Sequence, residues 1–145
     1  MPDFKPAYLI HGDDHGRVGE RRARLRAVAE AQSGAGGVEC FEGDEATPAN
    51  VALALSAMTF AIGRRFIVVD GVERWKDADV TAELAPVLAD PPPDTTVAFF
   101  AREDGRAQAP AALHKLVAKA GGDIAAEKVR KAKELPRWAM EQAAQ

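Results

Sequence analysis

Gly12-Asp13-Asp14-His15-Gly16-Arg17-Val18 follows a short apolar run and precedes a helical pattern, where phosphate-binding loops occur. Such a loop reads G-x-x-x-x-G-K-[ST]: glycines expose backbone N–H groups, the lysine reaches the outer phosphates and the hydroxyl holds magnesium. Here Gly12 is present, but Arg17 stands at the second glycine and Val18 and Gly19 replace the lysine and the hydroxyl residue. Asp13 and Asp14 would also repel a triphosphate. At Asp70-Gly71 a hydrolase would carry Asp-Glu, the first for magnesium and the second for water. Gly71 removes that glutamate. The sequence therefore predicts no catalytic residue, no bound nucleotide or other cofactor, and no small-molecule substrate.

Other residues admit other chemistry. Asp13, Asp14 and Asp70 at neighbouring strand ends could hold Mg²⁺ through oxygen ligands, with Asp70 as phosphoacceptor, as in receiver-like signalling domains. Ala101, standing where that family has Ser or Thr, speaks against it. His11 and His15 are of a type that ligates metal, yet no further ligand cluster accompanies them, and they read as solvated loop histidines. Arg17, Arg21, Arg22, Arg24 and Arg26 read as a solvated helix face rather than a nucleic-acid surface, because Glu20 and Glu30 interrupt them. Cys40 reads as a small buried hydrophobe, and Trp75 as a packing residue. Met58, Phe60 and Ile62 alternate at a helix end, so one buried stripe cannot hold all three. They either plug the core or present an apolar anchor to a partner.

The elements that position these residues are short apolar runs alternating with helical patterns. Ala7–His11, Val38–Glu42, Phe66–Asp70, Thr96–Ala101 and Asp123–Ala126 read as strands, the third being the most β-branched. Helices are expected over Arg17–Gln32, from the Thr47-Pro48 cap to about Ala57, over Thr81–Ala89, and from Pro110 to about Ala120. Strands alternating with helices imply parallel βαβ units with right-handed crossovers, and continuous apolar strands imply that both sheet faces are covered. The expectation is a three-layer α/β domain with a five-stranded parallel sheet. It should place Gly12 and Asp70 at the same sheet edge, with Phe66–Asp70 away from the margin.

Composition bounds the rest. With 28% charged residues and a net charge of −3, the chain is ordinary for a globular domain and lacks the basic excess of a free-standing nucleic-acid binder. No apolar run approaches the ~20 residues of a membrane span, and Met-Pro-Asp-Phe-Lys does not open a hydrophobic signal segment. One cysteine fits a reducing cytoplasm. After the basic stretch from Lys128 to Lys133, Leu135-Pro136-Arg137-Trp138-Ala139-Met140 opens another helix that lacks a packing partner. This reads as residues 1–133 forming one domain and residues 134–145 starting a second, at which the chain is cut.

The ordered set of motifs resembles the delta subunit of the bacterial DNA polymerase III clamp loader. It comprises Tyr8-Leu9-Ile10-His11-Gly12-Asp13-Asp14, Met58-Thr59-Phe60, Gly63-Arg64-Arg65-Phe66-Ile67-Val68-Val69-Asp70, Pro91 to Phe100 and Asp104-Gly105-Arg106. It continues through Leu113-His114-Lys115-Leu116 and Leu135-Pro136-Arg137-Trp138. The resemblance implies a P-loop NTPase-like (AAA+-like) fold with a degenerate nucleotide site, followed by a helical lid. It implies a non-catalytic subunit of the polymerase holoenzyme, a nucleotidyltransferase complex of DNA replication. Its partners would be the sliding clamp (the beta subunit) and the other clamp-loader subunits, with DNA reached through the complex. By position, Thr59, Phe60 and Ala61 match a Ser-Leu-Phe-like clamp contact, so the resemblance places clamp binding on Met58, Thr59, Phe60, Ala61 and Ile62. Ala61 departs from the aromatic of that pattern: either Phe60 alone is the anchor with Ile62 assisting, or a slip brings Phe60 into the aromatic place.

Overall fold

The computed structural model describes residues 4–57 and 63–129. β1 (Ala7–Gly12) leads into α1 (His15–Ser33), which starts two residues ahead of the expected Arg17. The reason is a cap: the Asp14 carboxylate accepts the Arg17 N–H at 3.2 Å. β2 (Val38–Phe41) precedes α2 (Pro48–Ser56), whose N-cap is Thr47, its Oγ1 accepting the Asn50 N–H at 3.1 Å. β3 (Arg65–Asp70) is followed by α3 (Asp77–Leu88), which begins four residues before the expected Thr81. Asp77 and Asp79 in its first turn complement the positive end of the helix. β4 (Thr95–Arg102), α4 (Ala111–Lys119) and β5 (Asp123–Ala126) complete the fold.

All five strands are parallel, in the order β2-β3-β4-β1-β5. From β1 the chain moves outward to β2 by way of α1. It then returns strand by strand, through α2, α3 and α4, and finally passes over β1 to β5. A right-handed crossover travelling one way uses one face of the sheet and travelling the other way uses the opposite face. Among the described residues, α1 therefore covers one face alone, and α2, α3 and α4 cover the other.

Alternate strand residues separate accordingly. Leu9, Ile67, Val69, Val97 and Phe99 join Val51, Leu84 and Leu113 in the larger core. Ile10, Val68, Ala98 and Phe100 meet Val18 of α1 in the smaller one. β3 lies between β2 and β4, away from the margin, and its Asp70 shares the carboxyl edge with Gly12.

The two edge strands differ from the inner ones. β2 exposes Glu39 and Cys40. The expectation of a buried Cys40 is corrected: it lies opposite Val68 on β2, an edge strand of the sheet, where it is exposed.

Candidate functional site

In an open parallel sheet the functional crevice lies at the carboxyl ends of the strands. Here only Asp13 and Asp14 separate β1 from α1, so the loop is too short to wrap a phosphate. The residues after β5 lie across it. The Glu127 N–H donates to the His11 carbonyl at 2.7 Å, and its own carbonyl accepts the Asp14 N–H at 3.1 Å. The Val129 N–H donates to Asp13 Oδ1 at 2.8 Å. Glu127 then anchors itself through its carboxylate, which accepts from Arg17 Nε at 3.3 Å and Arg21 Nη1 at 2.9 Å.

Gly12 is what permits this closure. Its φ is +150°, and a Cβ there would lie 1.8 Å from the Glu127 carbonyl oxygen. The donors that would cradle an anion are used internally, with the Arg17 N–H on the Asp14 carboxylate and the Val18 N–H on the Asp14 carbonyl.

The three aspartates of the magnesium reading are not gathered. Asp13 holds Val129 and Asp14 caps α1, whereas Asp70 Oδ2 accepts from Arg102 Nη2 at 3.1 Å and faces Arg22 Nε at 3.8 Å. Asp70 Oδ1 and Arg22 Nε are buried without a hydrogen bond. A receiver-like phosphoacceptor is therefore not supported. The reason is chain geometry: each carboxylate is committed to a different local task.

A different group does converge. His11 Nδ1 lies 2.9 Å from Glu103 Oε1, and the His11 and His114 rings meet edge to face with centroids 4.7 Å apart. His15 Nε2 lies 2.7 Å from the Glu103 carbonyl, where it can donate, and Glu103 Oε2 accepts the Ala109 N–H at 2.7 Å. Burial, and secondly the neighbouring His11, hold the His114 pKa below its ordinary value, while Glu103 pulls the other way. Sequence reasoning paired His11 with His15 and missed His114 and Glu103. No local spacing signals them, since β4 and α4 bring them in from far along the chain.

The arginine run is largely occupied by this chain's own acids. Besides Arg17 and Arg21 on Glu127, Arg22 lies 3.6 Å from Glu42, and Arg26 pairs with Glu30 at 3.0 Å. Trp75 packs edge to face on Phe99 and donates from Nε1 to the Ala46 carbonyl at 2.8 Å, as a packing residue should. Met58, Thr59, Phe60, Ala61 and Ile62, to which the resemblance assigned clamp contact, lie outside the described residues, as does the segment 134–145.

Among the described residues, a five-stranded parallel sheet in this order, between one helix and three, makes a three-layer α/β domain of AAA+-like fold. Among solved structures the chain is similar to the DNA polymerase III gamma subunit-related protein of Thermotoga maritima MSB8. The TM-score is 0.55 and the identity 16%, over 93% of this chain and 43% of that one. At that identity the likeness shows the fold alone, and this chain spans less than half of its neighbour's length. No protein-family model matches, and no curated protein does.

Proposed function

We propose that the chain is the first, AAA+-like domain of a non-catalytic clamp-loader subunit of delta type, which binds the sliding clamp and helps to open it during DNA replication. The observation that carries this reading is the β1–α1 loop sealed by Glu127 and Val129 within a clamp-loader-like fold. A domain that keeps the architecture of a nucleotide switch and spends its phosphate donors internally is suited to mechanical work beside active partners. ATP turnover then belongs to the other clamp-loader subunits, DNA is met through the assembly, and the complex works in the cytoplasm.

Binding alone suffices for such work. A subunit that prefers the open ring shifts the clamp toward opening by its differential affinity for the two states, and no bond is made or broken. The proposed contact is the segment Met58–Ile62, with Phe60 as the anchor entering an apolar pocket of the clamp. Truncating an aromatic anchor typically costs ~2 kcal/mol or more.

The test is binding of the sliding clamp from the same cell, measured by surface plasmon resonance. Phe60→Ala should weaken it by roughly 30-fold, since each ~1.4 kcal/mol is tenfold, and should leave the melting temperature nearly unchanged. Absence of binding by the unmodified chain overturns the reading. Sharply lower stability with unchanged affinity per folded molecule makes Phe60 a core residue instead. Calorimetric titration with ATP and Mg²⁺ should give no saturable heat, and a micromolar constant would contradict the sealed loop.

A further inference from the structure

The geometry points to a transition-metal site, of a chemistry suited to Zn²⁺, formed by His11 at the end of β1, Glu103 just after β4 and His114 on α4. Each residue offers one ligand atom, and these atoms all lie within 4.8 Å of one another. Bonds of ~2.0–2.2 Å in a tetrahedral arrangement require donors roughly 3.3 Å apart, so small ring rotations bring the three onto one ion. Two imidazoles and a carboxylate are the donor set of open zinc sites, in which water takes the fourth position.

Several features around the cluster fit a ligand set better than a chance contact. The chain has 3 histidines, and His11, His15 and His114 all converge on Glu103. Glu103 is only 8% exposed, and its second oxygen and its main chain are held by Ala109, His15 and Gly12. Such outer contacts orient a ligating carboxylate. They leave Oε1 directed at the imidazoles.

The His114 ring makes no hydrogen bond among the described residues and lies against another imidazole instead. His11 and His114 are partly exposed, which gives an ion a route in. A bound ion would clasp the ends of β1 and β4 to α4. This inference is independent of clamp binding.

The test uses the untagged chain, stripped with chelator and titrated with Zn²⁺ by calorimetry, with Co²⁺ as an absorbing probe. One Zn²⁺ per chain is expected, with a Co²⁺ spectrum of low coordination number. His114→Ala should weaken Zn²⁺ binding by at least about tenfold, a loss that even outer-contact changes reach. His11→Gln, which keeps a polar side chain beside Glu103, should do the same, and His15→Ala should weaken binding less than either. Circular dichroism of the metal-free variants checks that they fold. Absence of stoichiometric binding overturns the site, as does affinity unchanged in a folded His114→Ala or His11→Gln; the cluster is then a hydrogen-bonded hub only.

Discussion

Phe99 and Phe100 are adjacent, fully buried and turned to opposite faces of the sheet, and their surroundings differ. Phe99 sits under three helices, in a core that runs from Leu9 to Val117 and includes the edge of Trp75. Phe100 sits under α1 alone, among Ile10, Val18, Val68 and Ala98. Of the 19 residues of α1, only Val18 and Ala29 are buried. One face is thus held mainly by apolar area, and the other leans on polar ties: the Asp14 cap, the Glu127 bridges and the Arg22 contacts. The difference shows where the molecule has given up packing for a positioned, charged helix beside its sealed loop.

That contrast can be broken by truncation. Phe99→Ala should cost ~3–5 kcal/mol in urea unfolding, because three packed helices cannot close the cavity. Phe100→Ala should fall at or below the lower end of that range, since a single helix can settle toward the sheet. An equal or larger loss at Phe100 would refute the idea of a softer face.

Gly12→Ala sharpens the comparison at the seam between the loop and the segment after β5. The new Cβ meets the Glu127 carbonyl, and the backbone there is strained for any L side chain, so a loss of about 2–3 kcal/mol is expected. Amide exchange at Asp14 and Glu127 should quicken with it, and unchanged protection would mean that the closure is not as tight as the geometry implies.

Glu127→Gln should have the smallest effect. Arg17 and Arg21 are 64% and 44% exposed at their side chains, so the loss should be at most about 1 kcal/mol. Because exposed charges are screened, the difference from the parent should shrink in ~1 M salt. A loss that is independent of salt would assign Glu127 a packing role.

Much of the architecture was legible because its signals are local. Phe66–Val69 is too apolar and β-branched for anything but an inner strand, and Thr47-Pro48 announces α2. The blank phosphate loop could be read from Arg17, Val18 and Gly19 alone. What escaped depends on strand order. Cys40 looks like a core residue until β2 is known to be an edge strand. The start of α3 at Asp77 was hidden because charged residues dilute the apolar period there. The sealing of Gly12 by Glu127 and the meeting of His11 with Glu103 and His114 bring β1 to residues about ninety or more positions away, a relation no spacing rule can express.

The place of β1 between β4 and β5 also sets a timetable for the growing polypeptide. β1 pairs with β4 in the register Ala7↔Val97 and with β5 in the register Ile10↔Ala125. It therefore emerges about ninety residues ahead of its first neighbour, an interval of roughly 5–18 s at ~5–20 residues per second. Through that time Tyr8, Leu9 and Ile10 have no strand to join. β2 and β3 can pair as they appear, but β1 must wait for nearly the whole domain to be synthesised. Folding is then a late event dominated by distant contacts, the kind that is slow to nucleate. A nascent chain halted before Thr95 would carry an unpaired apolar strand at its amino terminus, a natural substrate for chaperones.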